Sequence, residues 1–203
     1  LLCGERYPTW HWRSGEMVKS QVMLRVPGRT ESGPYAWQVV LLDDNGNPVG
    51  QAVVGNVQIT APPRVMVAPM VSHRLETQLG DWVALLGFDA PESVKPGQPL
   101  LVTLVWQALA ETETSYKVFV HLRDAAGQVV AQSDAVPADW SRSTAGWAPG
   151  EFVTDAHTVA LGRNLPPGEY RLAVGLYNTA NSQRLLAPDG RDTIELAVVQ
   201  IVK

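Results

Sequence analysis

Four side chains of the 203-residue chain have the types expected of a sugar-contacting surface. Trp140 lies in a long irregular stretch, and Phe119, His121 and Tyr177 occupy strand positions opposite the predicted core. Aromatic rings stack on the apolar faces of pyranose rings, and nearby polar groups bind the hydroxyls. These residues therefore predict a carbohydrate-contacting face, with a polysaccharide or another cell-surface molecule as the partner. Trp147 and Trp12 are interpreted instead as packing residues at structural corners.

Three carboxylates, Asp124, Asp134 and Asp155, fall in or beside the same group of predicted strands and turns. Calcium binds several hard oxygen ligands, so these residues predict a calcium site, the one cofactor that the sequence indicates. The competing interpretation is that aspartates at turns accept bonds from backbone amides. A zinc site has no support, because the single cysteine, Cys3, and the histidines lack tetrahedral ligand spacing.

Catalysis has little support in the residue pattern. The chain contains no Gly-x-Ser-x-Gly elbow. Nothing in the sequence places two carboxyl groups across a cleft, as a glycosidase requires. We therefore expect a protein that is not an enzyme, and the alternative from another class is a metal-assisted hydrolase that uses His121, Asp134 and Asp155.

The elements that would position these residues are predicted to be strands, because apolar residues alternate with period two. Turns rich in glycine, proline and aspartate separate them. A helical turn is expected only at 72–79. Strands are predicted at 17–26, 35–42, 51–60, 82–89, 101–106, 116–123, 128–133, 152–160, 170–176 and 193–202. Short strands at this spacing predict an all-β sandwich.

An internal repeat organises the chain, with an offset of 135 residues. The identities fall in a Thr-x-x-Trp-x-x-Gly-Glu-x-Val segment and in a later Gly-x-Tyr-x-x-x-Val-x-Leu segment. The matched pairs are Thr9/Thr144, Trp12/Trp147, Gly15/Gly150, Glu16/Glu151, Val18/Val153, Gly33/Gly168, Tyr35/Tyr170, Val39/Val174 and Leu41/Leu176.

This repeat predicts three parts: the C-terminal half of a first sandwich at 1–68, a connector at 69–78 and a complete sandwich at 79–203. The opening strands of the first unit would lie upstream of Leu1, in a longer protein. Half a sandwich exposes an apolar face and unpaired strand edges. We expect another chain, as in a homodimer, to cover that face, or the half-unit to repack onto its neighbour.

The motifs Val105-Trp106-Gln107, Tyr116–Leu122, Trp147–Asp155 and Pro167–Tyr177 together resemble an uncharacterised bacterial sandwich repeat. That repeat occurs in tandem in large surface proteins and in extracytoplasmic tails of glycosyltransferase-like membrane proteins. The resemblance implies an immunoglobulin-like or carbohydrate-module-like antiparallel sandwich, at the cell surface or membrane-anchored as part of a longer protein. It supplies no catalytic residue. The first copy has Leu42 at the Tyr177 position, so a site that uses Tyr177 exists only in the second copy.

Composition excludes two other classes. The net charge is −4 and no basic run occurs, which argues against nucleic-acid binding. No apolar run approaches the ~20 residues of a membrane span. The function predicted from the sequence is a non-catalytic extracytoplasmic module that acts as a spacer and as a carbohydrate or adhesion surface; the alternative is a purely structural repeat without a ligand.

Overall fold

The computed structural model describes residues 9–19 and 21–203, and its regular elements are strands and two short 3-10 helices. The all-β prediction is confirmed. The 3-10 helices are Thr9–His11 and Thr144–Gly146. The strands are β1 Gly33–Leu42, β2 Pro48–Ile59, β3 His73–Leu79, β4 Val83–Asp89, β5 Ser93–Val94, β6 Pro99–Ala108, β7 Tyr116–Arg123, β8 Val129–Ala135, β9 Phe152–Ala160, β10 Gly168–Asn178 and β11 Ile194–Ile201.

Nine of these strands form an immunoglobulin-like sandwich. One sheet has the order β3-β4-β6-β9, and the other has the order β5-β11-β10-β7-β8. Neighbouring strands are antiparallel except for β5, which runs parallel to β11. This arrangement buries one face of each sheet against the other, as the period-two alternation requires.

The core between the sheets consists of the residues that alternate inward. Leu104 of β6, Leu122 of β7 and Leu172 of β10 are fully buried. Burying each such side chain contributes about 1.5–3 kcal/mol. Trp147 is also buried and donates its indole N–H to the Arg142 carbonyl at 3.0 Å. Its predicted role as a corner packing residue fits this position.

A tyrosine corner marks the start of β10. The Tyr170 hydroxyl donates to the Pro166 carbonyl at 2.9 Å, four residues upstream, as in immunoglobulin-like sandwiches. The same bond occurs once more in the chain, where the Tyr35 hydroxyl donates to the Glu31 carbonyl at 3.1 Å. The two corners lie 135 residues apart.

Other local geometry recurs at that offset. Glu16 N–H donates to the Arg13 carbonyl at 3.0 Å, as Glu151 N–H does to Ala148. The reciprocal bond, from the Arg13 or Ala148 amide to the glutamate Oε2, measures 3.0 Å and 2.9 Å. Gly15 and Gly150 precede these glutamates with φ of 83° and 82°. Glycine takes this left-handed conformation at no steric cost.

The two-stranded sheet β1–β2 stands beside the sandwich and matches the hairpin β10–β11. Both hairpins contain a bulge at the same place, after Trp37 and after Leu172. Thirteen residues separate Val39 from its partner Ala52, whereas twenty separate Val174 from Ile194. The second hairpin therefore has a connection seven residues longer.

Two expectations about local structure are wrong. Residues 17–19 and 21–26 form no strand, although β9 occupies the matching positions of the second unit. A strand needs a hydrogen-bonded neighbour, and this segment has none of the kind that β6 provides for β9. The helical turn expected at 72–79 is instead β3, which pairs with β4. Residues 73–78 of the expected connector thus lie in a sheet.

A polar joint connects the hairpin segment to the sandwich. The buried Glu151 carboxylate accepts from Arg64 Nη1 at 2.6 Å and also from Arg142 Nη2. Phe152 N–H donates to the Val65 carbonyl at 2.8 Å. A β-carbon at Gly28 would come within 2.4 Å of the Trp147 carbonyl, so this close approach requires glycine. The chain on either side of β1–β2 is therefore anchored to the Trp147 corner.

Candidate functional site

Trp140 lies on a left-handed turn after β8. Ala138, Asp139 and Trp140 have φ of 53°, 51° and 66°, and the turn closes where Trp140 N–H donates to the Val136 carbonyl at 2.9 Å. Each non-glycine residue in this region costs about 1–2 kcal/mol. The indole remains 59% exposed. The sequence predicted an irregular stretch here, but no glycine signals the left-handed backbone.

A buried carboxylate holds this turn in place. Asp155 Oδ1 accepts the Ala138 N–H at 2.8 Å, and Oδ2 accepts the Trp106 indole N–H at 3.3 Å. His157 Nε2 lies 3.1 Å from the same Oδ2. Buried polar groups are costly unless bonded, so these contacts offset the burial of Asp155 and bring the turn back to the strand β9.

Ser133 completes a chain of polar groups between the two sheets. Its Oγ lies 3.1 Å from His157 Nδ1, so the tautomer that satisfies both contacts donates from Nε2 to Asp155 and accepts at Nδ1. Ser, His and Asp in sequence contact can serve nucleophilic catalysis. Here the His157 and Asp155 side chains have no exposed surface, and Asp155 is also bonded to Trp106 and Ala138. The contacts therefore link the sheets and the turn.

Sequence reasoning missed this chain of contacts. It correctly placed Asp155 and His157 on one face of a strand, but the face is the inner one. The signal was available: Val153 and Val159 share their parity in β9 and are buried. Ser133 could not have been paired with His157 from spacing, because the contact crosses from one sheet to the other.

The outer face of the five-stranded sheet brings Trp140 close to β7 and β10. The Lys117 ammonium lies 4.6 Å from the centroid of the Trp140 ring, and Lys117 pairs across the strands with Tyr177. Tyr177 is half-buried and faces Asp134. Burial raises the pKa of Tyr177, and the charge of Asp134 and a hydrogen bond to it raise that pKa further. We call Trp140, Lys117, Tyr177 and Asp134 the Trp140 patch.

Phe119 and His121 share that outer face, as predicted, but they are not available to a large ligand. Phe119 is 1% exposed and lies under the Arg184 guanidinium, 4.5 Å from the ring centroid. Arg184 is held by Asp192 at 3.0 Å in the long connection of the second hairpin. A β-carbon at Gly175 would come within 2.4 Å of Phe119 Cζ, so glycine makes room for the ring.

His121 is 7% exposed, and its Nδ1 finds no hydrogen-bond partner among the described residues. Burial lowers the pKa of His121; the charge of Asp134 opposes this shift, whereas Arg184 and Arg123 add to it. The predicted exposure of Phe119 and His121 is thus wrong, because the connection between β10 and β11 covers them. Of the four predicted sugar-contacting residues, Trp140 and Tyr177 remain in the patch.

The three predicted calcium ligands lie apart. Asp124 accepts the Ala126 and Gln128 amides at 2.9 and 2.8 Å and so closes the β7–β8 turn. Asp134 faces the outer surface, and Asp155 faces the core. Between residue 9 and the C-terminus, leaving out residue 20, no three His, Cys, Asp or Glu side chains form a metal-holding group. A shared site for these aspartates, or for a hydrolase built on His121, Asp134 and Asp155, is therefore wrong. Cys3 lies outside the described residues.

A cleft of about 390 Å³ opens between the base of the β1–β2 hairpin and the segment that follows Trp140. Pro27, Thr60, Arg64 and Ser141 are among the residues that line it. Its two arginines, Arg64 and Arg142, both bind Glu151, so their charges are largely matched within the joint. None of the helices in the described parts of the chain has the length and apolar character of a bilayer span.

Comparison with known proteins identifies no family. No family model matches the sequence, and no curated protein does. Among solved structures, the C-terminal domain of Wzt is similar with a TM-score of 0.47 and 11% identity, over 66% of this chain and 83% of that one. The CARDB domain of the PF1109 protein from Pyrococcus furiosus, solved with di-metal ions, has a TM-score of 0.38 and 14% identity, over 70% and 100%. Neither likeness bears on function.

Proposed function

We propose that this chain is a non-catalytic β-sandwich module of a cell-envelope protein that acts outside the cytoplasm as a spacer and contacts carbohydrate through the Trp140 patch. The observation that carries the proposal is the exposed Trp140 ring, held on a strained turn by the buried Asp155. Strained backbone persists where the surrounding structure over-determines it, and functional sites are where it concentrates.

The chemistry of the patch matches a polar, ring-shaped ligand. The indole offers an apolar surface, while Lys117 and Asp134 offer a donor and an acceptor beside it. Ligand sites combine such aromatic surfaces with a few polar groups that fix orientation. A sugar ring presents both an apolar C–H face and hydroxyls, so a polysaccharide is the ligand class that these residues fit.

The spacer role is supported by the joint at Glu151. The carboxylate is bound by Arg64 from one side and Arg142 from the other, and both arginine side chains are less than one-fifth exposed. Partly buried, multiply bonded ion pairs hold a defined geometry better than exposed pairs do. Such a joint transmits a fixed orientation from one unit to the next.

Affinity electrophoresis through gels that contain defined polysaccharides, together with a glycan array, tests the carbohydrate role. Trp140→Ala is expected to weaken retention of a bound glycan about tenfold, which corresponds to ~1.4 kcal/mol. Trp10→Ala is the matched control, because Trp10 is also strongly exposed but lies outside the patch. Absence of retention on every polysaccharide, or equal retention of the parent and Trp140→Ala, would leave the structural repeat without a ligand as the function.

A further inference from the structure

The β1–β2 hairpin exposes residues whose counterparts in the second unit are core. Tyr35, Trp37, Val39 and Leu41 of β1 are 37–45% exposed. Their counterparts at the offset of 135 residues are Tyr170, Leu172, Val174 and Leu176, which are 0–6% exposed. The two hairpins share their corner, bulge and turn geometry, so they present the same face to different surroundings.

The second unit shows which elements cover that face. Strand β7 pairs antiparallel with β10, with Val120 opposite Val174, and the four-stranded sheet packs against the inward side chains. Within the same sandwich, β6 pairs with β9 and sets Trp106 opposite Val153. We call the segment from β3 to β8, residues 73–135, the front strands.

The first unit has a second element in need of the same partner. Residues 17–25 match β9 but form no strand, and Val22 and Leu24 are 61% exposed at positions matching the buried His157 and Val159. An isolated two-stranded hairpin is marginally stable in water, and exposed apolar strand edges favour pairing. The hairpin and this segment thus lack the same set of neighbours.

We propose that the inward face and free edge of β1, together with residues 17–25, form a docking surface for the front strands of a sandwich of this same type. A strand like β7 would pair antiparallel with β1, with its counterpart of Val120 opposite Val39. A strand like β6 would pair with residues 17–25. A second copy docking through its own β1–β2 hairpin would cover β1 but would leave residues 17–25 without a β6-like partner.

The test supplies front strands in register. A copy of residues 69–135 is fused ahead of Leu1, so that the copied Ala135 is followed by the residue that matches Val136 at the offset of 135. Amide hydrogen exchange is then followed at Val39, Leu41, Val22 and Leu24. Protection is expected to rise about hundredfold or more, because core strands open only with the larger unfolding of their unit.

The matched control is the same fusion with Val118→Glu and Val120→Glu in the copied segment alone. It is expected to leave the Val39 and Leu41 amides as unprotected as in the 203-residue chain, while the amides of β10 stay protected in every protein. A second fusion carries Trp37→Leu, so that position 37 matches Leu172 and the borrowed strands meet a side chain of the volume they pack against. Equal exchange at Val39 in all fusions, the Trp37→Leu protein included, would overturn the proposal.

The oligomeric state of the 203-residue chain tests the other occupant. Sedimentation of the parent chain is expected to give a monomer at micromolar concentration. A dimer whose β1 amides are protected, and which Leu41→Asp dissociates with loss of that protection, would assign the face to a second copy and overturn the proposal. The Trp140 patch is unaffected by either result, so its function is tested separately.

Discussion

The hairpins β1–β2 and β10–β11 have closely similar local geometry and different surroundings. Each begins with a glycine and a tyrosine whose hydroxyl bonds a carbonyl four residues upstream, and each contains a bulge after the fifth strand residue. Only the second hairpin is enclosed by a sandwich. Turn and corner geometry is therefore set by short-range sequence, whereas burial depends on strands distant in the chain.

The outer faces of the two hairpins differ as well. In the second hairpin, the longer connection carries Arg184 over Phe119, and Gly175 makes room for the ring. The first hairpin has a short turn, in which Asp43 Oδ1 accepts the Asn45 and Asn47 amides, and it has Val40 at the Gly175 position. Specialisation of the outer face thus resides in the second unit.

The largest expected contrast is between two leucines at matched positions. Leu176→Ala removes a fully buried side chain and is expected to lower the free energy of unfolding by about 2–5 kcal/mol. Leu41→Ala, at a position 45% exposed, is expected to change it by about 0.5 kcal/mol or less. Urea denaturation followed by tryptophan fluorescence measures both. Equal losses would mean that β1 is already enclosed in solution.

The joint provides the next contrast. Glu151→Gln leaves Arg64 and Arg142 without their carboxylate and is expected to cost about 2–3 kcal/mol, below the range for fully buried pairs because both arginines retain some exposure. Glu16→Gln, at the matched exposed carboxylate, is expected to cost about 0–1 kcal/mol. Thermal unfolding compares the two. A cost below 1 kcal/mol for Glu151→Gln would show that the joint contributes little.

The tyrosine corners give a smaller contrast. Tyr170→Phe removes one hydrogen bond at a 6% exposed site and is expected to cost about 1–1.5 kcal/mol, because the Pro166 carbonyl loses a donor where water has little access. Tyr35→Phe removes the same bond at a 40% exposed site, where water replaces the donor, so the expected cost is a few tenths of a kcal/mol. Denaturation midpoints measured side by side would contradict this if Tyr35→Phe proved the more costly.

The smallest effect concerns pH and the covered outer face. Burial lowers the pKa of His121 in the folded chain, so the unfolded chain, with an ordinary pKa of about 6.5, binds the proton first as pH falls. The stability linked to His121 is therefore present above pH ~6.5 and is lost below it, by about 1 kcal/mol or less. His121→Gln is expected to reduce the stability difference between pH 8 and pH 5. An unchanged difference would remove His121 as its source.

The sequence determined the period-two elements and their turns. The alternation in Tyr116–Arg123 and in Phe152–Ala160 predicted β7 and β9 with their bounds, because a strand's side chains alternate whatever it pairs with. The Trp-x-x-Gly-Glu segments also have similar turn geometry at both copies, since their bonds join residues three apart. Such contacts depend on a few consecutive residues, which a sequence displays directly.

Tertiary structure decided which predicted faces are accessible and which predicted strands form. Residues 17–26 have strand-like sequence but no partner, whereas β9 has β6. Phe119 points outward as its parity required, yet a connection about 60 residues later covers it. The inner position of Asp155, and its contacts with the Trp140 turn, arise across strands and loops far apart in the chain. Alternation identifies two faces of a strand, but only long-range packing determines what lies against each of them.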